Sequence, residues 1–449
     1  AITPEDWDAI RAAGLAHMLA ISGLHVGIVA GLLFFVARFF MALFPSFALY
    51  HPIKKYAAVI AFAGAAGYTI LAGAGVPTLR ALFMTGIVLL AILLDRQAIS
   101  MRTVALSALV VLLFSPDALF SASFQMSFAA VTALVFAYDA IRPWWSRLYR
   151  GAGRVRRAGM YVAGVVLTTL VAGSAVAPFS LYHFQQYPLY DIPANVLAAP
   201  LMTFLIMPGV VLSYFVMPLG LDILAFKPLE WGITGLLLIA RNVYELPGAT
   251  WNPPAWPVAA LVCFVLGGLW VVLWQGRLRV MALFLFACGF LIISQYKQPD
   301  ILVSSSGKLI AVRVDETQMR LSSKVQDRFS GENWARLLGI LPEEIRSLQR
   351  EGAVEGIACG PLGCRTILHG KKIALSFHPA GQKEDCAWAD LLIAESSLRV
   401  KKCAAPLVRD LYDFYRDGAH SFYLSGSDVR EQSVASVRGD RPWTVSNRR

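Results

Sequence analysis

Long apolar stretches alternate with short polar connectors before residue 297. Most are roughly 17–28 residues long, and about 20 apolar residues suffice to cross a 30 Å hydrocarbon core as a helix. The predicted spans are residues 16–44, 55–73, 77–94, 103–115, 119–140, 158–178, 191–218, 229–247, 255–274 and 280–296. The fourth is short, and a re-entrant segment is the alternative there. The pattern therefore predicts an all-α polytopic membrane domain with about ten transmembrane helices over residues 1–296.

Short apolar runs replace these stretches after residue 296. Strands are predicted at 301–303, 309–314, 364–368, 372–377, 390–395 and 421–424, and helices at 332–350 and 405–417. Residues 297–449 are therefore predicted to form a small mixed α/β soluble domain. At the other end, Thr3 and Pro4 predict the N-cap and first turn of a short interfacial helix. Because the chain starts at Ala1, we expect a larger protein cut at its front.

The composition agrees with a membrane protein. Of the 449 residues, 57% are hydrophobic and only 15% are charged, which excludes a soluble enzyme or a disordered scaffold. The net charge is +11. Such an excess in an apolar chain indicates membrane orientation before it indicates a ligand.

Lysine and arginine are distributed unevenly between the connectors. With ten crossings, all thirteen connector Lys and Arg fall on one side, at 51–55, 95–102, 141–157, 219–228 and 275–279. The positive-inside rule puts this side in the cytoplasm, and both termini outside. We interpret the six arginines of 141–157 as orientation and lipid-phosphate contacts, with Trp144 and Trp145 as interfacial anchors. A nucleic-acid exit lip is the alternative.

Cysteine and histidine spacing bears on compartment and chemistry. Cys359, Cys364, Cys386 and Cys403 lie after residue 297, which favours an oxidising compartment and disulfides whose pairing stays open; a zinc site is the alternative. No two of the seven histidines are closer than eight positions, so no hydrolytic metal motif is present. No Walker A loop is present either. We predict no metal, no cofactor and no enzymatic activity.

The first span combines small and polar residues. Gly23, Gly27 and Gly31 form one stripe on a helix, which predicts close helix packing. His17, Ser22 and His25 lie in the same span. Because histidine in a bilayer needs a partner or a wet cavity, these residues indicate a functional site. The alternative is that His17 lies at the interface and His25 binds a neighbouring carbonyl.

Further polar residues are predicted at membrane depth. Arg80 enters the third span near its outer end, where it either snorkels to the headgroups or lines a path for a polyanion. Gln125, Ser127 and Asn195 add polar or broken-helix features in later spans. Irregular backbone at this depth is tolerated only where protein or water covers it, so we expect a cavity lined by several spans.

Four motifs carry a family resemblance. GLAHMLAISGLHVG, GVPTLRALFM, SPDALFSASFQMSF and PANVLAAP, in this order, resemble the competence domain of the ComEC-type DNA-uptake channels over roughly residues 1–296. The resemblance implies a multi-pass channel of the bacterial inner (plasma) membrane that passes single-stranded DNA into the cytoplasm during natural transformation. It carries over His17, Ser22, His25, Arg80, Gln125, Ser127 and Asn195 as channel residues.

The resemblance also sets expectations for partners and for the second domain. It implies contacts with single-stranded DNA and membrane lipids, with a DNA receptor outside, and with a cytoplasmic ATP-driven motor or DNA-binding protein in trans. The N-terminal OB-like part of the family is missing, and residues 297–449 resemble a degenerate metallo-β-lactamase-like domain without its ligands, placed outside the cytoplasm. The alternatives are a transporter of another anion or lipid headgroup, and a membrane-tethered nuclease.

Overall fold

The structure is a computed structural model that divides the chain into two units. It describes residues 2–19, 23–151, 153–315, 318–323, 325–341, 344–348, 352–354, 356–400, 402–426, 428–439 and 441. The first unit comprises Ala1–Trp251 and Val258–Gly289, and the second comprises Asn252–Pro257 and Phe290–Arg449. The division falls inside the last apolar helix. It also places Asn252–Pro257 in the second unit, which the predicted domain limits of 1–296 and 297–449 do not include.

The helices before residue 297 alternate with short turns. They are α1 (Pro4–Ala12), α2 (Ala16–Leu19), α3 (Gly23–Ala42), α4 (Pro45–Tyr50), α5 (Ile53–Leu71), α6 (Val76–Leu93), α7 (Met101–Phe114), α8 (Ala122–Tyr149), α9 (Arg154–Phe184), α10 (Asp191–Leu201), α11 (Met207–Val216), α12 (Asp222–Tyr244), α13 (Val258–Leu273) and α14 (Met281–Gln295). A π-helical turn, Met202–Ile206, joins α10 to α11. The strands β1 (Tyr187–Pro188) and β2 (Thr250–Trp251) pair antiparallel. The predicted N-cap is confirmed, because the Thr3 side chain accepts a hydrogen bond from the Asp6 backbone.

Six helical segments of the described chain are long and apolar enough to span a membrane. They are His25–Ala42, Ala122–Tyr149, Arg154–Phe184, Asp191–Tyr214, Ile223–Tyr244 and Gly276–Gln295. Three further apolar helices are shorter, at Pro77–Leu93, Met101–Phe114 and Val258–Leu273. A polytopic helical part is therefore confirmed, but the predicted number of ten crossings is not. In α7 the reason is local, since a capping box at Ser100 and Thr103 starts the helix and Ser115 ends it after 14 residues.

The core of the first unit packs α1 against the inner helices. Ile10 of α1 is fully buried beside Ala194 and Leu236, which come from α10 and α12. A tight backbone approach occurs at Gly232 of α12, where an added Cβ would lie 2.7 Å from Ile206 Cγ1. The first unit is thus held by apolar packing of the amphipathic α1 onto helices far away in sequence.

The glycine stripe of α3 does not make the predicted close contacts throughout. A Cβ added at Gly23 would lie 3.7 Å from Ala81 Cβ, which is ordinary contact. At Gly27 and Gly31 an added Cβ would meet nothing within 4 Å in the described chain. Among the described residues these two glycines therefore make no close helix contact, and their packing role stays a prediction.

Two six-stranded mixed sheets form the second unit. The strands are β3 (Ile301–Val303), β4 (Ile310–Arg313), β5 (Met319–Leu321), β6 (Ile345–Ser347), β7 (Gly352–Val354), β8 (Ile357–Gly360), β9 (Gly363–Leu368), β10 (Lys371–Ser376), β11 (Leu391–Ala394), β12 (Leu407–Arg409), β13 (His420–Leu424) and β14 (Val429–Ser433). One sheet has the order β14-β13-β3-β4-β5-β6 and the other the order β12-β11-β10-β9-β8-β7. Within the second sheet, β10, β11 and β12 run parallel and the remaining pairs run antiparallel.

Apolar residues from both sheets share one core. Ile301 and Ile310 of the first sheet pack with Ile373 and Leu375 of the second. The remaining helices are α15 (Arg328–Leu338), α16 (Gln382–Trp388), α17 (Leu411–Asp417) and α18 (Val434–Arg438). Residues of α15 pack in a separate cluster with β4 and β5, and residues of α16 in another with β10 and β11. Each sheet therefore has one face on the shared core and one face on a helix.

Both helices predicted for this unit are shorter than expected. The helix predicted at 332–350 ends at Leu338, because Gly339 adopts φ +71° and closes the last turn, and Ile345–Ser347 is a strand. The helix predicted at 405–417 begins only after Asp410, whose side chain caps it, and Leu407–Arg409 is a strand. In both cases a cap defines the boundary, and the hydrophobic period alone does not mark it.

The segment Asn252–Pro257 belongs to the second unit by its contacts. The Ala255 amide donates to the Leu337 carbonyl over 2.8 Å, and Gln298 Nε2 donates to the Ala255 carbonyl over 3.0 Å. A Cβ added at Gly339 would lie 2.8 Å from the Pro254 nitrogen. The connector between α12 and α13 is therefore an integral part of the fold of this unit.

Candidate functional site

Arg80 is a nearly buried cation with neutral partners at the start of α6. Its side chain is 7% exposed, and Nη2 donates to the Ser123 carbonyl over 3.1 Å and to Ser123 Oγ over 2.5 Å. No carboxylate pairs with Arg80 in the described residues. Because Arg80 lies near the start of α6 and Ser123 near the start of α8, their contact shows that both helices begin at the same end of the unit. Arg80 therefore links two helix N-termini and keeps an uncompensated positive charge.

Gln125 makes the next polar contact along this end. Gln125 Nε2 donates to the Leu119 carbonyl over 2.9 Å, and Gln125 Oε1 lies 2.7 Å from His183 Nε2. Since the amide nitrogen is committed to a carbonyl, Oε1 must accept, and His183 Nε2 must carry a proton. This bond joins the N-terminal turn of α8 to the C-terminal turn of α9. His183 was missed because the predicted span ended at residue 178, whereas α9 continues through Pro178 to Phe184.

Both histidines of the first motif bind backbone carbonyls. His17 is exposed and its Nδ1 lies 2.9 Å from the Gly14 carbonyl, while the buried His25 hydrogen-bonds the Met18 backbone. The carbonyl partner of His25 thus agrees with the alternative interpretation, whereas the interfacial placement of His17 stays a prediction. Ser22 lies outside the described residues.

Asn195 and Ser127 are not joined to the other predicted residues. Asn195 is buried, and its Nδ2 donates to the Asp191 carbonyl over 2.8 Å inside α10. Ser127 is half-buried in α8 without a side-chain hydrogen bond among the described residues. Among the described residues, neither position is hydrogen-bonded to Arg80 or Gln125.

Asp191 was missed by sequence reasoning and lies between three segments. A Cβ added at Gly14, which has φ +73°, would lie 3.0 Å from Asp191 Cβ. A Cβ added at Gly173 of α9 would lie 3.3 Å from Asp191 Oδ2 and 3.4 Å from the Tyr187 hydroxyl. Burial and the Asp191 carboxylate raise the pKa of the Tyr187 hydroxyl, so it stays a neutral donor at physiological pH. The two glycines were the available signal, since each permits a close approach that a side chain would block.

Of the predicted residues, the contacts place Gly23, Arg80 and Gln125 at one end of the first unit. Gly23 lies beside Ala81, Arg80 binds Ser123, Gln125 binds His183, and Gly14 contacts Asp191. They come from the starts of α3, α6, α8 and α10 and from the end of α9. This polar end contains hydrogen-bond donors, the uncompensated Arg80 cation and the Asp191 carboxylate. In the described chain no group of three or more His, Cys, Asp or Glu is arranged to hold a metal ion.

The thiols of the second unit are paired. Cys359 bonds Cys364, and Cys386 bonds Cys403. The pairing that sequence left open is therefore sequential. It also replaces the alternative of a single zinc site built from all four, because each sulfur is already bonded.

Six membrane-length apolar helices and a polar end built from their termini define a polytopic membrane protein. Residues 1–278 match the family described as Competence protein. This match covers more than half of the chain, and the chain therefore belongs to the competence protein family. The resemblance seen in its motifs is confirmed.

Individual relatives agree with this assignment. ComE operon protein 3 of Bacillus subtilis (strain 168) is 31% identical over 213 residues, which are 47% of this chain and 24% of that protein. Competence protein ComA of Neisseria gonorrhoeae is 31% identical over 233 residues, 51% of this chain and 30% of that protein. Recombination protein 2 of Haemophilus influenzae is 27% identical over 240 residues, 53% of this chain and 29% of that protein.

The match thus spans only about a quarter to a third of the length of these relatives. No solved structure matches the chain significantly.

Proposed function

We propose that the chain conducts single-stranded DNA across the bacterial inner membrane into the cytoplasm during natural transformation. Family membership over residues 1–278 supports a role in DNA uptake. The observation that carries the proposal further is Arg80, a nearly buried guanidinium bound only to the neutral Ser123 among the described residues.

The chemistry of Arg80 suits a transient phosphate contact. A cation at membrane depth is costly unless a partner or water receives it. Ser123 engages only Nη2, so Nε and Nη1 remain able to donate to a phosphate. The absence of a carboxylate partner in the described chain means that no ion pair has to break when a phosphate arrives or leaves. Weak, replaceable contacts of this kind are what conduction requires.

Neutral donors follow Arg80 along the same end. Gln125 Nε2 carries a second proton besides the one donated to the Leu119 carbonyl, and the His183 Nε2–H becomes a donor when its bond to Gln125 opens, so both can bind phosphate or base edges without adding negative charge. Asp191 Cβ lies beside Gly14 and its carboxylate lies beside Gly173, and the carboxylate makes no ion pair with Arg80 among the described residues. We expect the passing strand to contact Arg80, Gln125 and His183. Further candidates are His17, Ser22, His25, Ser127 and Asn195.

The orientation of the proposed channel follows from charge and connectivity. All thirteen connector Lys and Arg fall on one side when ten segments cross, and we place this side in the cytoplasm. Two segments of the chain belong to the second unit, Asn252–Pro257 and the residues after Gly289. The helix α13 and most of α14 lie between them in sequence. An even number of crossings returns the chain to the same side, which supports α13 as a crossing despite its 16 residues. Two disulfides support an oxidising location outside the cytoplasm.

The second unit is proposed to be noncatalytic and to descend from a metallo-β-lactamase-like domain. Its two face-to-face sheets, each with a helix on the outer face, support this origin. We propose a DNA receptor outside as one partner. An ATP-driven motor or a DNA-binding protein in the cytoplasm is the other, because the sequence contains no Walker A loop.

The test is deletion of the gene in its host, followed by transformation with labelled DNA and complementation by variants. We expect Arg80→Ala to reach normal membrane levels and to lower cytoplasmic entry of label by about tenfold or more, since a hydrogen bond to a charged group contributes about 1.5–3 kcal/mol. Arg80→Lys should be intermediate, because it keeps the charge but loses the planar fork.

Arg38→Ala is the matched control, since Arg38 is exposed on α3 and has no polar partner in the described residues. Normal entry in Arg80→Ala at normal membrane level contradicts the assignment of Arg80. Normal transformation after deletion favours a transporter of another anion, and loss of the surface-bound label to external degradation products favours a nuclease.

A further inference from the structure

A groove between α8 and α9 lies at the end of the unit opposite Arg80. It has a volume of about 520 Å³ and is lined by Ile141, Trp144 and Trp145 of α8 and by Gly159, Val162 and Val166 of α9, among other apolar residues. This volume is within the range of about 300–1,000 Å³ typical of small-molecule sites. Apart from the indole nitrogens, its named side chains have no hydrogen-bonding group.

The groove is open because of a local sequence feature. A Cβ added at Gly159 would meet nothing within 4 Å, and one added at Gly164 would lie 3.7 Å from Trp145 Cζ2. The absence of a side chain at Gly159 therefore leaves a gap beside Trp144 and Trp145, whose rings contact edge to face at 6.2 Å. Tryptophans at the end of a membrane helix mark the level of the lipid headgroups.

Unpaired arginines surround the mouth of the groove. Arg142 lies three positions before Trp145, and Arg156 lies three positions before Gly159, so each is on the helix face that lines the groove. Both side chains are exposed, and neither has an ion-pair partner among the described residues. Arg157 instead lies over the Tyr149 ring, 5.6 Å from its centroid.

Helix length places the arginines in the headgroup layer. The 28 residues of α8 and the 31 residues of α9 exceed the roughly 20 needed to cross the hydrocarbon core. We place the C-terminal end of α8 and the first turn of α9, which carry the arginines, beyond the acyl chains. An apolar groove at acyl depth, topped by guanidinium groups at phosphate depth, is complementary to one molecule with both parts.

We propose that this groove is a binding site for an anionic phospholipid. The acyl chain lies against Trp145 and Val162, and Arg142 and Arg156 bind the headgroup phosphate. A nucleic-acid strand would use the arginines but would leave the apolar walls uncovered, so the lipid accounts for both halves of the site. The proposal is independent of whether the chain conducts DNA.

The experiment uses the full chain, purified in detergent and analysed by native mass spectrometry after titration with dioleoyl-phosphatidylglycerol or dioleoyl-phosphatidylcholine. We expect the wild-type chain to retain one phosphatidylglycerol in preference to phosphatidylcholine. Arg142→Ala/Arg156→Ala should bind phosphatidylglycerol about 30-fold more weakly, because each of the two lost arginines contributes a roughly equal attraction to the anionic headgroup. Arg96→Ala/Arg102→Ala is the charge-matched control on the same predicted side and should bind like the wild type.

A second pair of variants tests the apolar half. Ala163→Phe fills the groove and should displace the lipid, whereas Ala158→Phe adds the same bulk on an exposed position that does not line it. Equal retention of phosphatidylglycerol by the wild type and Arg142→Ala/Arg156→Ala would overturn the proposal. So would retention unchanged by Ala163→Phe. Binding of a thymidine oligonucleotide that depends on Arg142 and Arg156, without lipid retention, would replace the lipid with a nucleic-acid lip.

Discussion

Arg241 Nε donates a hydrogen bond of 2.7 Å to Asp6 Oδ1 and thereby joins α1 to the end of α12. Asp6 is 5% exposed, and its second oxygen accepts from the Thr3 hydroxyl over 3.0 Å. The carboxylate therefore has partners on both oxygens, and the apolar residues of α1, such as Ile10, are buried beneath it.

This pair predicts a pH dependence of α1 docking. The hydrogen bond from Arg241 lowers the pKa of the Asp6 carboxyl below its ordinary value. Its stabilisation of the folded state is therefore complete above the unfolded pKa of about 3.9 and is lost as the pH falls through the lowered value. Asp6→Asn should release α1 at neutral pH. Hydrogen exchange of residues 4–12 measures this, with Asp8→Asn as the exposed control; unchanged protection in Asp6→Asn would contradict the prediction.

Glycine substitutions separate tight packing from open faces. Gly232→Leu should destabilise the fold by about 1–3 kcal/mol or more, because its Cβ would lie 2.7 Å from Ile206 Cγ1 in a buried contact. Gly27→Leu should reach the membrane at normal levels, because no atom of the described residues lies within 4 Å of its added Cβ. Membrane abundance and detergent thermal stability measure both. Loss of Gly27→Leu from the membrane would show that its open face is covered by another molecule.

The Gln125–His183 contact should behave as a coupled pair. His183→Leu leaves Gln125 Oε1 without a donor, which should cost about 1–3 kcal/mol. The double variant Gln125→Leu/His183→Leu should be less destabilised than the sum of the two single variants, since it leaves neither side chain orphaned. The coupling energy is obtained from the free energies of unfolding, in mixed micelles, of the wild type, the two single variants and the double variant. Additive losses would mean that the 2.7 Å contact contributes nothing.

Labelling in intact cells tests the orientation. In a Cys263→Ser/Cys288→Ser background, a membrane-impermeant maleimide should label Ser305→Cys and should miss Ser146→Cys until the cells are permeabilised. The four cysteines of the second unit should react only after reduction, because they are disulfide-bonded. Labelling of Ser146→Cys from outside would reverse the orientation.

The helical part was predictable because apolar runs of membrane length have few alternative structures. The ends of helices were less so. Predicted spans stopped before Pro143 and at Pro178, yet α8 and α9 continue through both prolines, since each proline removes only one hydrogen bond from a long helix. His183 and the arginine-bearing turns were consequently placed in connectors.

The candidate site was predictable in part for a related reason. Polar residues inside apolar runs identified Arg80 and Gln125, but their partners Ser123 and His183 are unremarkable in sequence and are specified only by the packing of helices against each other. The contacts of the glycine stripe of α3 were not predictable, because spacing defines a face of a helix but does not say what lies opposite. In the second unit, strands with strong apolar runs were found, whereas the caps at Gly339 and Asp410 shortened both helices.

The contacts of Asn252–Pro257 have a practical consequence for dissecting the protein. A fragment expressed from residue 297 onward would lack the backbone that receives the Gln298 side chain and fills the space above Gly339. The Leu337 carbonyl would lose its partner as well. Truncation at the end of the last apolar helix therefore does not yield a self-contained domain, and a faithful excision requires this hexapeptide to be supplied by fusion or as a separate peptide.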